Sequence, residues 1–86
     1  MNKLWSDRAW EEYLYWQVQD KKTIKKINEL VKDIERNGIA KGIGHPEPLK
    51  YRKAWSREID KKNRLVYNIV DGYLWIISCK DHYDDN

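Results

Sequence analysis

The segment RLVYNIVDGYLWIISCK, residues 64–80, decides the fold because two runs of alternating side chains flank a tight turn. Successive side chains of a strand point to opposite faces, so Leu65 and Tyr67 share one face and Arg64 lies on the other. Asp71-Gly72 is a residue pair that favours a two-residue hairpin turn. The segment therefore predicts antiparallel strands over residues 64–70 and 73–80.

A further strand is predicted immediately before this hairpin. Residues 54–59 have the pattern of a strand and residues 60–63 that of a turn, so the three strands form an antiparallel meander. A sheet needs helices or a second sheet to cover its apolar face. We expect the face of Leu65 to meet helices, which leaves Arg64 on the open side.

The first part of the chain predicts a short strand followed by two helices. Residues 2–5 form the strand, and Ser6 is a suitable N-cap for a helix over residues 7–18. Asp20 is a second N-cap, and Asn37-Gly38 ends the second helix because Gly readily adopts the left-handed conformation. The apolar stripe of the second helix consists of Ile24, Ile27, Leu30, Val31 and Ile34. The expected fold class is α+β, with two N-terminal helices packed on an antiparallel sheet in one domain, residues 1–86.

Residues 37–53 predict neither a helix nor a strand. Most of the glycines and both prolines lie there, namely Gly38, Gly42, Gly44, Pro46 and Pro48. Long irregular loops are uncommon in compact domains and frequently carry function. Glu47 lies between the two prolines, which restrict the backbone on both sides of its carboxylate. By residue type alone, Glu47 is equally compatible with an ordinary solvated side chain.

The charge of the chain is concentrated in its middle. The formal net charge is +3, and eight basic residues against three acidic ones lie between Lys41 and Arg64. Five Trp and six Tyr, with no Phe, suit either a small core or a surface that meets a partner. These features favour a polyanionic partner, although a mixed charged surface also keeps small domains in solution.

Several classes of site are disfavoured by the sequence. The serines lack a nucleophile-elbow motif, and Cys79 lies in an apolar run where we expect a buried thiol. No glycine-rich loop precedes a helix in a phosphate-binding pattern. His45 and His82 do not make a metal-ligand set, so we expect no cofactor. No stretch is long and apolar enough for a membrane span or a signal peptide, and we expect a cytoplasmic protein.

Cleavage of RNA needs only common side chains, because the 2′-hydroxyl of the substrate is itself the nucleophile. The enzyme must accept the hydroxyl proton, stabilise charge at phosphorus and protonate the departing 5′-oxygen. Glu, Arg and His suit these roles, since Arg binds two phosphate oxygens with its planar fork and His titrates near neutral pH. Most small proteins contain all three residue types, so composition does not select this activity.

An ordered set of motifs is more specific than the composition. The set comprises Pro46-Glu47-Pro48-Leu49-Lys50, Trp55-Ser56-Arg57, NRLVY at 63–67, His82-Tyr83 and, nearer the start, Trp5-Ser6, YLYW at 13–16 and KKINEL at 25–30. It closely resembles the signature of YoeB-type toxins, in the RelE-like superfamily of toxin–antitoxin ribonucleases, over nearly the whole chain. The resemblance implies a microbial-ribonuclease-like α+β fold.

The resemblance also implies an activity and a site. Toxins of this type enter the ribosomal A site and cleave messenger RNA without a metal, leaving a cyclic phosphate or 3′-phosphate end. By match to the motifs, Glu47 is implied as general base, Arg64 as transition-state stabiliser and His82 as general acid. The substrate-binding residues that it implies are Lys50, Arg57 and Tyr83.

Two protein partners are implied in the same way. One is a separately encoded antitoxin, whose acidic segment would fold over the basic site. The other is a second copy of the chain in a homodimer.

Two departures and two alternatives accompany the resemblance. His45 occupies a position where we expect Lys, and the chain continues past the His-Tyr pair through Asp84-Asp85-Asn86, whose charges either act on His82 or the substrate or lie in solvent. A glutamate carboxylate is ordinarily a weak base, so Glu47 acts either as the base or as an orienting group. The alternative function is a non-catalytic RNA or ribosome binder that blocks translation without cleavage.

Overall fold

The computed structural model describes residues 1–82, which form two helices and a five-stranded sheet. In chain order the elements are β1 (Asn2–Trp5), α1 (Asp7–Gln19), α2 (Lys21–Asn37), β2 (Glu47–Pro48), β3 (Trp55–Glu58), β4 (Arg64–Val70) and β5 (Tyr73–Ser78). The predicted α+β class with two N-terminal helices is confirmed.

Both helices begin at the predicted capping residues. The Ser6 hydroxyl accepts a hydrogen bond from the Ala9 N–H at 2.9 Å, and it donates to the Ile77 carbonyl at 2.7 Å, which fixes α1 to the end of β5. The Asp20 carboxylate accepts from the N–H groups of the first turn of α2. The second helix ends at Gly38, whose φ of 90° lies in the region that Gly occupies most easily.

The strand order in the sheet is β1-β5-β4-β3-β2. The pairs β2–β3, β3–β4 and β4–β5 are antiparallel, and the β4–β5 turn has Asp71 at φ 51° and Gly72 at φ 78°, as a type I′ hairpin requires. The sheet is mostly antiparallel, as expected, and it is mixed at one edge because β1 pairs in parallel with β5. A parallel pair needs a crossover connection, and both helices lie between β1 and β5 in the chain.

The core lies between α2 and the covered face of the sheet. The buried apolar stripe of α2 packs with Leu65 and Tyr67 of β4 and with Leu74 and Ile76 of β5, each of them 1% exposed or less. This confirms that the Leu65 face meets the helices. Of the five predicted stripe residues, Ile27, Leu30, Val31 and Ile34 are buried and Ile24 is half-buried.

Three strands, β2, β3 and β5, differ from the prediction. Strand β3 is shorter than the predicted 54–59, and β5 ends at Ser78 rather than at residue 80. The prediction of no strand within residues 37–53 is wrong, because Glu47 and Pro48 form β2 and pair with Ser56 and Trp55. Pro48 has no N–H to donate, and β2 is an edge strand, where proline is tolerated.

Candidate active site

Glu47 and Arg64 meet on the open face of the sheet. Glu47 pairs with Ser56 across β2 and β3, and Ser56 pairs with Val66 across β3 and β4, so all three share one face. Arg64 lies two residues before Val66 and therefore points to the same side. The result is a separation of 3.9 Å between Arg64 Nη2 and Glu47 Oε2. Two residues that are far apart in the chain are thus brought together.

The Arg64 guanidinium is held along one edge. Its Nε donates to Ser56 Oγ at 2.9 Å, and Nη2 lies 3.4 Å from the carbonyl oxygens of both Ser56 and His45. The side chain is only 12% exposed. Within residues 1–82 no acceptor is bonded to Nη1. This arrangement fixes the plane of the guanidinium and leaves donors for an anion on the open face.

The Glu47 carboxylate is open to solvent, with 66% of its side chain exposed. Backbone pairing to Ser56 fixes its strand, and the preceding His45 has a φ of 51°, a conformation that is uncommon outside Gly. The His45 carbonyl faces Arg64, so this bend in the loop contributes directly to the arginine's position. A carboxylate placed in this way can accept a proton from a bound hydroxyl or orient it.

His82 lies where the chain leaves β5 and returns to the start of β4. The carbonyl of Asp81 accepts from the Arg64 N–H at 3.1 Å, so His82 follows a residue that is bonded directly to the Arg64 backbone. The His82 side chain is exposed. The predicted substrate-binding residue Tyr83 and the acidic tail 84–86 lie outside the described residues.

Lys50 lies in an exposed loop directly after β2. The loop borders an open depression of about 680 Å³ that extends from Pro48 to the end of the sheet at Asn68 and Ile69. Arg52 and Lys53 add charge to its rim. Lys50 is exposed and lies three residues after Glu47, which suits the phosphate contact expected of it, and that contact stays a prediction.

The structure places Arg57 inside the protein, which does not favour the predicted contact with substrate phosphate. Its side chain is 0% exposed, because Arg57 points to the covered face of the sheet rather than to the open one. All five of its N–H donors are engaged inside the protein. The acceptors are the Tyr67 hydroxyl, the Asp33 carboxylate and the carbonyl oxygens of Gly38, Lys41 and Ile43.

This buried arginine has a structural role in the loop that leads to Glu47. Burial raises the pKa of Asp33, but hydrogen bonds from Arg57 and from the Ile43 N–H outweigh it, so that the pKa falls below its ordinary value. Burial raises the pKa of Tyr67, whose hydroxyl donates to the Ile39 carbonyl at 2.6 Å. Arg57, Asp33 and Tyr67 thus fasten the backbone of residues 38–43 to the sheet. We call these three residues the arginine clamp.

Sequence reasoning also missed two polar residues that support the site. Ser56 binds Arg64, and Asn63 binds the backbone of Asp81. Strand alternation places Ser56 on the face of Arg64 once the register is known. The spacing of Asp60 and Asn63 is typical of a side-chain-stabilised turn, which is the signal that could have indicated Asn63.

Other classes of site find no support in the described part of the chain. Among residues 1–82, no group of three His, Cys, Asp or Glu side chains is arranged to hold a metal ion. Neither of the two described helices is long and apolar enough to cross a membrane. The Cys79 thiol is buried, and burial together with nearby Glu12 raises its pKa to about 12.

Comparison with known proteins agrees with the geometry. Residues 5–83 match the family model described as YoeB-like toxin of bacterial type II toxin–antitoxin system. Toxin YoeB of Escherichia coli K12 is 48% identical over 85 residues, which cover 96% of this chain and 100% of that protein. The predicted resemblance to YoeB-type toxins is therefore confirmed.

Two solved structures of Staphylococcus aureus proteins extend the comparison. A YoeB dimer matches with a TM-score of 0.91 and 48% identity, over 96% of this chain and 98% of that one. A heterotetrameric YoeB–YefM toxin–antitoxin complex matches with a TM-score of 0.89 and 49% identity, over the same shares. In those structures the toxin is paired with a second copy or with its antitoxin.

Proposed function

Since this chain belongs to the YoeB-like toxins of bacterial type II toxin–antitoxin systems, we propose that it is an endoribonuclease that cleaves messenger RNA in the ribosomal A site. The observation that supports the proposal most is the 3.9 Å separation of the Glu47 carboxylate and the Arg64 guanidinium on one open face. The chain segment that carries His82 is hydrogen-bonded, through the Asp81 carbonyl, to the backbone N–H of Arg64 itself.

The proposed reaction is an internal transesterification. The 2′-oxygen of the substrate attacks phosphorus, a new P–O bond forms, and the bond to the 5′-oxygen breaks. Glu47 accepts the proton of the 2′-hydroxyl, and His82 in its protonated form donates a proton to the departing 5′-oxygen. Arg64 neutralises charge that builds on the non-bridging oxygens. The products are a 2′,3′-cyclic phosphate and a 5′-hydroxyl end, and no metal takes part.

Two further residues would bind the substrate. Lys50 would bind a phosphate next to the scissile one, since it is exposed and follows β2. Tyr83 would stack on a base beside the acid, as the family motif implies. We place the reaction in the cytoplasm, where ribosomes and messenger RNA are found.

The proposed partners follow from the relatives. Staphylococcus aureus YoeB forms a dimer and a complex with YefM. We propose that this chain likewise pairs with itself and with a separately encoded antitoxin. Co-expression with the neighbouring small open reading frame should relieve growth arrest, and continued arrest with both proteins present in soluble form would count against that partner.

Mapping of messenger 5′ ends in a purified translation mixture tests the activity. Wild-type protein should produce cuts in the A-site codon, whereas a non-catalytic binder would leave stalled ribosomes on intact messenger. His82→Ala and Glu47→Gln should each slow cleavage by about 10²–10⁴-fold, the usual contribution of a proton-transfer group. Arg64→Lys should slow it by about 10²–10³-fold, as the loss of a charge-stabilising donor does.

A matched control separates these losses from unfolding. Glu11 is an exposed glutamate on α1, so Glu11→Gln makes the same chemical change away from the site. We expect this variant to cleave at the wild-type rate. Cleavage that persists at that rate in a folded Glu47→Gln or His82→Ala variant would remove the residue from the mechanism.

A further inference from the structure

The turn between β3 and β4 reaches across to the segment that carries His82. Its side-chain contact is made by Asn63, which is 9% exposed and whose Oδ1 accepts from the Asp81 N–H at 2.7 Å. The next residue, Arg64, donates its own N–H to the Asp81 carbonyl. Both polar groups of the Asp81 backbone are therefore fixed by two consecutive residues, Asn63 at the end of the turn and Arg64 at the start of β4.

Asn63 is itself held rigidly. The Asp60 carboxylate accepts from the Asn63 backbone N–H at 2.8 Å and from its Nδ2 at 3.1 Å, and it also accepts from the Lys62 N–H. The Asn63 carbonyl accepts from the N–H groups of Ile59 and Asp60. The side chain therefore has little freedom to release Asp81.

The backbone that Asn63 holds adopts an unusual conformation. Asp81 has a φ of 68°, in the left-handed region that residues other than Gly rarely occupy, so the surrounding bonds must maintain it. Upstream, the chain is anchored at Cys79, whose N–H donates to the Glu12 carboxylate and whose carbonyl accepts from Trp16 Nε1. His82 is thus one residue beyond the last anchor of the described chain.

We propose that Asn63 is a positioning residue, which sets the place of the His82 imidazole relative to the Arg64 guanidinium. This inference rests on the proposed function. Asn63 and Arg64 are adjacent, so a single turn determines where both the charge stabiliser and the acid lie. A catalytic group that is misplaced by about 1 Å can lose about 10²-fold in rate.

The test uses variants that change one bond at a time. Asn63→Leu keeps the approximate size of the side chain but removes the acceptor for the Asp81 N–H. Asn63→Asp combined with Asp60→Asn exchanges the two side chains, so an acceptor at position 63 and an amide donor in the pair are both retained. Circular dichroism and thermal unfolding verify that each variant is folded at the assay temperature.

The first readout is single-turnover cleavage on programmed ribosomes with the toxin in excess. We expect Asn63→Leu to slow the chemical step by about 10- to 100-fold while the concentration needed for half-maximal rate stays unchanged. The exchanged pair should return the rate to within a few-fold of wild type. A folded Asn63→Leu variant that cleaves at the wild-type rate would overturn the inference.

The second readout identifies which chemical step the Asn63→Leu variant slows. A messenger with sulfur in place of the bridging 5′-oxygen at the cleavage site has a leaving group that departs without a general acid. On that messenger Asn63→Leu and His82→Ala should both approach the wild-type rate, whereas Arg64→Lys should stay slow. Equal losses for Asn63→Leu on both messengers would indicate a merely structural role and would overturn the inference. Failure of the wild-type protein to cleave either messenger would instead overturn the proposed function.

Discussion

Replacement of Arg57 by Met removes five hydrogen bonds from the interior of the protein, one of which is also an ion pair with Asp33. The Met side chain fills much of the space of the aliphatic stem, so the main loss is polar. The Asp33 carboxylate, which is 13% exposed, loses its charged partner, and three loop carbonyls lose the donor that Arg57 supplies. Breaking a buried pair by removing one partner costs about 3–5 kcal/mol.

This cost is large for a chain of 86 residues. Domains have about 0.05–0.15 kcal/mol of stability per residue, which gives about 4–13 kcal/mol here. An unfolding entropy of about 2.1 cal/mol/K per residue gives about 180 cal/mol/K, so a loss of 4 kcal/mol lowers the melting temperature by about 20 °C. Arg57→Lys keeps the charge with fewer donors and should fall between wild type and Arg57→Met.

Thermal and urea unfolding of three variants provide the measurement. Arg52 is an exposed arginine of the neighbouring loop, so Arg52→Met is the matched control and should change the melting temperature by no more than a few degrees. If Arg57→Met melted within a few degrees of wild type, the clamp would not have the stabilising role assigned to it. Loss of messenger cleavage with stability intact would instead return Arg57 to the phosphate-binding role that the sequence analysis gave it.

Three further predictions concern groups around the clamp and the core. Gly42→Ala should destabilise more than Gly72→Ala, because both have positive φ but only at Gly42 would a Cβ collide with the side chains of Asp33 and Arg57; urea midpoints that rank the other way would contradict this. The folded-state pKa of Asp33 lies below its ordinary 3.8, so its stabilisation is present above that pH and is lost as the pH falls through the folded value. Asp33→Asn should therefore give a shallower fall of unfolding free energy than wild type below about pH 4, and parallel curves would refute the linkage. The pKa of Cys79 is raised to about 12, so iodoacetamide at pH 8 should label the denatured chain quickly and the native chain only as fast as the folded structure opens around the thiol. Rapid stoichiometric labelling of native protein would argue against burial.

Local chemistry predicted most of the elements, and long-range pairing accounts for what was missed. Ser6, Asp20 and the Asp71-Gly72 turn act through bonds within a few residues, so their signals are visible in any window of sequence. The short strand at Glu47 exists only because β3 offers it a partner, and the parallel pairing of β1 exists only because β5 does. Neither pairing leaves a pattern in the residues themselves.

The site was predicted to a similar extent. Glu47 and Arg64 were named from the resemblance, and their proximity depends on register between β2, β3 and β4, which no local rule supplies. Asn63 was missed because its partner, the Asp81 N–H, is a backbone group that every sequence position offers. Motifs identify chemistry more readily than they identify the bonds that position it.

The burial of Arg57 could nevertheless be predicted from the alternation of side chains along its strand. Trp55 and Ile59 flank it at spacings of two, so all three share one face, and Arg57 pairs with the fully buried Leu65. A buried arginine needs five acceptors, and an irregular loop has carbonyl groups that no strand or helix satisfies. The carbonyl groups of the glycine-containing loop 38–44 need hydrogen-bond donors, and the N–H groups of the inward arginine need acceptors. Each therefore satisfies the other. A basic residue on the covered face of a predicted strand, near such a loop, therefore indicates a buried clamp. Basic residues that bind substrate should be sought on the opposite face of the sheet, as at Arg64.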